Sequence, residues 1–159
     1  MNIYLAADHA GFLCKERVQE HLVAKGYEVQ DCGAYEEVPT DNYPEIIRVA
    51  GEKLSANPAD RAIVFGGSGQ GEAMVMNRFP HVRCAVFYGN VGEQEDARGT
   101  VLDMIRSVRE HNDANALSIG ARFASQEEII EAIDTWLETP FPGDDRHVRR
   151  IHDIDEPKI

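Results

Sequence analysis

The sequence predicts an α/β protein: a parallel sheet covered by helices on both faces, in one domain spanning residues 1–159, with a C-terminal helical extension from about residue 144. Three observations lead there. Short β-rich runs alternate with stretches of helical period, the pattern of successive βα units. A chain of 159 residues suffices for one core, burying roughly 70% of the surface its unfolded form exposes. No internal repeat or low-complexity tract interrupts the alternation.

The elements follow in order. "NIYLAAD" reads as a first strand. In "FLCKERVQEHLVAKG", Cys14, Val18 and Leu22 recur every four residues as an apolar stripe, and Gly26 suits a helix C-terminus, so a helix follows. "YEVQDCG" is a weak second strand, "YPEIIRVAGEKL" a helix with Pro44 in its first turn, and "RAIVFGG" a third strand of the fully buried kind. "RCAVFYG" and "ALSIGAR" supply the fourth and fifth strands. Between them lies a long segment, 89–115, whose first third is polar and reads as a loop. Its later part, "TVLDMIRSVREH", sets Val101, Ile105 and Val108 on one helical face. "SQEEIIEAIDTWL" opens with Ser125 and Glu128 in capping-box spacing and should bury Ile129, Ile133 and Trp136. The tail "DDRHVRRIHDI" is helical, basic and outside the sheet pattern.

Composition narrows the function. A net charge of -12 argues against nucleic acid, whose partners carry a basic face, and leaves small molecules as the expected ligands. Cys14, Cys32 and Cys84 are odd in number and widely spaced, so neither a disulfide framework nor a zinc site is indicated. The N-terminal "MNIYLAADHAG" lacks the pattern of a signal peptide, and no apolar run approaches a membrane span. A soluble cytoplasmic protein without membrane association is expected.

In an open parallel sheet, ligands bind beyond the carboxyl ends of the strands. Here those ends carry Asp8 and His9, then "GGSGQGE" running to Glu72, then 120–122 ending in Arg122. The glycine loop has no P-loop lysine, misses the dinucleotide spacing, and fails the G-x-S-x-G nucleophile elbow at its last residue. Its glycines let consecutive backbone amides converge, and a helix beginning near Glu72 adds a positive end, which suits an anion. A tight strand-to-helix turn with no ligand is the plainer alternative. Taken singly, Glu72 is also favoured by the helix dipole, Asp8 is as often a cap, His9 a turn residue and His111 a C-terminal helix cation. "RHVRR" could be only a solvated face. Yet Arg146 and Arg150 are four apart and share one side of a helix, and paired guanidiniums match a phosphate.

Together and in order, "ADHAGF", "DCGAY", "DNYP", "GGSGQGE", "REHNDAN", "GAR" and "RHVRR" resemble the ribose-5-phosphate isomerase B family, which includes the bacterial galactose-6-phosphate isomerase subunits. The likeness runs from Ile3 to about Ile151. It implies a Rossmann-like three-layer sandwich with a five-stranded parallel sheet, a homodimer with active sites shared at the subunit interface (a tetramer being the larger alternative), and isomerisation of a sugar phosphate with no metal or cofactor. One branch of the family uses a cysteine at the first position of the glycine loop as base; the other has glycine there and a glutamate just beyond. Gly66 and Glu72 match the second, and the three thiols are then expected in the core.

The resemblance also implies roles. His111 opens the sugar ring and Asp8 helps hold the hydroxyls. Glu72 moves the proton between carbons 2 and 1. The loop amides, including those of Gly67, Gly69 and Gly71, stabilise the enediolate, and Ser68 relays a proton between its oxygens. Asn112 hydrogen-bonds the substrate and Tyr43 lines the pocket. Arg122, Arg146 and Arg150 grip the phosphate, with His9 beside them. Because a helix N-terminus lowers a carboxylate's pKa, burial of Glu72 in the closed dimer must act in the opposite sense. The segment between Tyr88 and His111 is longer than its family counterpart by about a dozen residues, in a region where loops tolerate insertion. It is acidic and expected to lie away from the arginines. Three readings stay open: ribose 5-phosphate, a hexose 6-phosphate such as allose or galactose 6-phosphate, or a sugar-phosphate-binding module without catalysis.

Overall fold

The computed structural model describes residues 1–92 and 94–156. Its main strands are apolar on both sides, and the two side-chain sets go to two different cores. Along β1 (Asn2–Ala7), Ile3, Leu5 and Ala7 face one layer while Tyr4 and Ala6 face the other; along β3 (Arg61–Gly66), Ile63 and Phe65 oppose Ala62 and Val64. With β2 (Glu28–Asp31), β4 (Cys84–Phe87) and β7 (Ala116–Gly120) they form a five-stranded, all-parallel sheet in the order β2-β1-β3-β7-β4. Sheets of this kind need cover on both faces. The first layer is α1 (Phe12–Ala24), α4 (Met104–Asn112) and α5 (Gln126–Glu138), which bury Val18, Leu22, Ile105, Ile133 and Trp136. The second is α2 (Tyr43–Ala56) and α3 (Gln70–Met76), which bury Ile47, Leu54 and Met76.

The expected helix boundaries rest on local chemistry. Ser125 and Glu128 make the reciprocal capping box at the start of α5. Gly26 takes the positive φ that ends α1. A charge also sits in the first layer: Lys15, fully buried, is satisfied by Asp31 at 2.7 Å and the Ala34 carbonyl at 2.6 Å, which ties the loop after β2 to α1.

Two expectations are corrected. Val101 does not join the helix with Ile105 and Val108. It lies in a two-residue strand, β6 (Val101–Leu102), paired antiparallel with β5 (Gln94–Glu95), so the polar segment holds a small hairpin. The cause is Asp103, which takes extended backbone and accepts from the Arg106 amide at 2.9 Å; this N-cap starts α4 one residue later and keeps Val101 outside it. The thiols are not all in the core. Cys32 is buried, but Cys14 and Cys84 are only partly so, Cys84 because β4 is an edge strand.

The C-terminal helix α6 (Asp145–Asp155) packs on α4 rather than on the sheet. Arg83, just before β4, anchors it. Its guanidinium donates to Asp155 at 2.7 Å and to the Asn112 and Asp113 carbonyls at 3.0 and 2.9 Å, fixing the end of α6 to the end of α4. Among the described residues, no helix is long and apolar enough to cross a membrane.

Candidate active site

Sheet order creates the site. From β1 the chain moves outward to β2, then returns past β1 to β3, so the loops after β1 and β3 leave in opposite directions and part at a topological switch point. Both loops were singled out by the sequence. The Asp8 amide donates to the Phe65 carbonyl at 3.0 Å, and the Asp8 carboxylate accepts from the Gly11 amide at 2.7 Å, shaping the turn into α1. His9 is held by Asp41, which accepts from its amide at 2.7 Å and pairs with its Nδ1 at 2.9 Å. This hydrogen bond first, and then the charges of Asp8 and Asp41, hold the His9 imidazolium above the ordinary histidine value, with burial and Arg122 acting the other way.

Asp41 stands just before α2, whose first residue, Tyr43, lies over the glycine loop: a Cβ built on Gly71 would be 2.5 Å from its hydroxyl. On the opposite side, the Arg122 amide donates to the Gly67 carbonyl at 3.2 Å, and its guanidinium lies beside the same glycine. Gly69 caps α3 in the left-handed conformation at φ +73, with its backbone pressed on that of Ile119 and Gly120, a place open only to glycine. The amides of Gly67, Ser68 and Gly69 donate to no other backbone carbonyl among the described residues. They are available to an oxyanion.

Glu72 closes this group. It is 4% exposed, and its carboxyl occupies the space that a Cβ on Gly66 would take. Burial pushes its pKa above the ordinary carboxylate value; its own amide opposes this, and the nearby Asp8 and Asp41 charges reinforce it. The upward pressure expected from a closed dimer is therefore already present in a single chain. Burial also pushes the Cys14 and Cys32 thiols up to about 11 and raises Cys84 in the same direction, so none is poised as a thiolate.

A second group lies elsewhere. His111 and Asn112 end α4, and Arg146, His147 and Arg150 project from α6. The rings of His111 and His147 stack with centroids 4.7 Å apart, and the charges of Arg146 and Arg150 are felt at His147. Arg83 bonds the Asn112 carbonyl from the start of β4, so this group sits at the amino edge of the sheet, whereas Gly66 and Gly120 mark its carboxyl edge. At about 3.3 Å per residue, β7 alone separates the two edges by roughly 13 Å. No hydrogen bond or ion pair joins the groups among the described residues. One chain thus brings together Asp8, His9, Tyr43, Ser68, Glu72 and Arg122, and keeps His111, Asn112, Arg146 and Arg150 apart from them.

Two members were not singled out by the sequence. Asp41 precedes Tyr43 by two residues in "DNYP", and its role needs the fold, since its partner His9 is 32 positions away. His147 stands inside "RHVRR", where the arginines carried the signal.

The chain is similar to known proteins over nearly its whole length. Residues 3–154 match the family model described as Ribose/Galactose Isomerase. The chain is 36% identical over 151 residues to ribose-5-phosphate isomerase B of Mycobacterium tuberculosis, covering 95% of this chain and 86% of that protein. Among solved structures, ribose-5-phosphate isomerase B of Mycoplasma genitalium with bound ribulose-5-phosphate superposes with a TM-score of 0.86 at 30% identity, over 97% of this chain and 93% of that one. The Thermotoga maritima ribose 5-phosphate isomerase gives 0.82 at 37% identity, over 98% and 97%. With its Rossmann-like sheet, its glycine loop at the switch point and a match spanning nearly its whole length, the chain belongs to the ribose/galactose isomerase family.

Proposed function

We infer that this chain is an aldose–ketose isomerase interconverting ribose 5-phosphate and ribulose 5-phosphate, with Glu72 as the base. The observation that carries the assignment of the base is the Glu72 carboxyl: buried, raised in pKa, and seated where Gly66 has no side chain. A carboxylate with a raised pKa is a stronger base toward carbon, and it returns the proton without leaving the pocket. The ligand of the Mycoplasma genitalium relative supports a five-carbon substrate.

In this reading the furanose binds with its phosphate held by Arg122, Arg146 and Arg150, and the cationic tendency of His9 adds to that grip. His111 moves the proton that opens the ring, while Asp8 and Asn112 hold hydroxyls. Glu72 then takes the proton from carbon 2. The charge that develops on the enediolate oxygens meets the free amides of the glycine loop. Ser68 passes a proton between those oxygens, and Glu72 delivers its own to carbon 1.

The assembly follows from the separation of the two groups. A homodimer in which the amino-edge group of one copy faces the carboxyl-edge group of the other completes two sites by one symmetry operation. The edge strand β4 and the exposed Met74 and Tyr88 near it offer a face for such pairing. A cytoplasmic location, supported by three unpaired thiols, belongs to the same reading.

The test is incubation with ribose, allose and galactose phosphates in deuterated water, following carbon 2 by NMR. Exchange with ribose 5-phosphate is expected. Exchange confined to the six-carbon substrates would move the assignment to a hexose 6-phosphate, and binding without exchange would make the chain a sugar-phosphate-binding module.

A further inference from the structure

The reading above employs His111, Arg146 and Arg150, yet the one buried residue among them has no task in it. His147, in the first turn of α6, is 4% exposed, while Arg146 and Arg150 are exposed. Its ring lies 4.7 Å from that of His111 and only 11° from parallel, across the α4–α6 contact. Its Nε2 accepts a hydrogen bond from Arg146 Nε at 3.0 Å. A single side chain therefore touches both the residue assigned to ring opening and one assigned to the phosphate.

The hydrogen bond fixes the state of that ring. Arginine Nε always carries its hydrogen, so His147 Nε2 must present a lone pair, and the one proton of the neutral ring is on Nδ1. Burial, followed by the charges of Arg146, His111 and Arg150, holds the imidazole below the ordinary histidine value, with Asp144 opposing. A neutral ring committed to Arg146 is not a spare acid; what it supplies is a fixed plane and a fixed acceptor.

We propose that His147 is a positioning residue, setting the ring plane of His111 through the stack and the direction of the Arg146 guanidinium through Nε2, so that one side chain aligns ring opening with phosphate capture. This rests on the isomerase reading and deepens it. The two tasks are separable by chemistry. When ribose 5-phosphate opens, O1 loses a proton, the C1–O4 bond breaks and O4 gains a proton. Ribulose 5-phosphate cannot close a five-membered ring because its O5 is esterified, so exchange of its carbon 1 proton for deuterium needs no ring step.

Both reactions should be measured on the full chain and on two variants. His147→Gln keeps an acceptor and loses the flat ring: kcat with ribose 5-phosphate should fall about tenfold or more, KM should stay within about threefold, and exchange from ribulose 5-phosphate should fall less than about threefold. His147→Phe keeps a ring and loses the acceptor: KM should rise about tenfold for both sugars, with the ratio of the two kcat values unchanged. Equal loss of both reactions in the Gln variant, or no change in either variant, overturns the proposal. If the Gln variant does not fold, the Phe variant decides alone, and an unchanged KM there overturns it. Absence of both reactions in the unmodified chain overturns the isomerase reading instead.

Discussion

Gly66→Ala asks whether the carboxyl of Glu72 must stand where it does. Gly66 is in strand β3 and is not among the glycines with positive φ, so alanine meets no conformational penalty there. The obstacle is steric: the three atoms nearest the added methyl are all in the Glu72 carboxyl. Ordinary contact begins at 3.4 Å, and the carboxyl must retreat by about 1 Å or more to reach it, a displacement that costs on the order of 10²-fold when the group is a base in place. Overpacking of a closed site adds a stability cost of about 1–3 kcal/mol, a fall in Tm of roughly 2–12 °C for a chain of this size. Steady-state kinetics and thermal unfolding measure the two effects separately. In a Glu72→Ala background the obstacle is gone, so adding Gly66→Ala should leave Tm unchanged, a non-additivity expected only of groups in contact. A Gly66→Ala enzyme with turnover within about threefold of the parent, or an equal fall in Tm in both backgrounds, would refute the geometry argued for Glu72.

Two further outcomes are expected. Because burial raises the Glu72 pKa, the folded chain holds a proton that the unfolded chain has released at pH values between the ordinary and the raised value, and stability falls as pH rises through that window. Glu72→Gln should therefore abolish most turnover while raising Tm at about pH 8 and leaving it unchanged near about pH 4, as thermal melts at the two values would show; the parent's kcat/KM should have its acid limb above the ordinary glutamate range. Ser125→Ala removes the capping box of α5, whose bonds join only Ser125 and Glu128 and none of the residues assigned to the site, and should cost about 1 kcal/mol, or roughly 2–4 °C in Tm, with kcat and KM intact.

Much of this was legible in the residues, and the reasons are physical. Strands buried on both faces show as continuous apolar runs, which is why β1, β3 and β7 stand out, and the capping box of α5 is a purely local signal. The glycine loop announced itself because the Glu72 carboxyl leaves no room for a side chain at Gly66, and close backbone approach leaves none at Gly69. Three features could not be read in the same way. The hairpin of β5 and β6 depends on Asp103 capping α4 in competition with a helical period that includes Val101. Asp41 gains its meaning from a partner across the switch point, and His147 from a helix packing against α4. Nor does the order of motifs along the chain disclose that His111 and the α6 arginines end at the opposite edge of the sheet from Glu72; that follows from strand direction together with the Arg83 anchor.

That division between edges is the centre of the account, and complementation tests it most directly. Glu72→Gln and His111→Asn chains, each inactive alone, can be co-expressed with different tags and isolated as mixed dimers. One of the two symmetry-related sites in such a dimer carries both lesions and the other neither, so about half the activity of the unmodified dimer toward ribose 5-phosphate should return. Mixed dimers as inactive as either parent would contradict a site shared between copies.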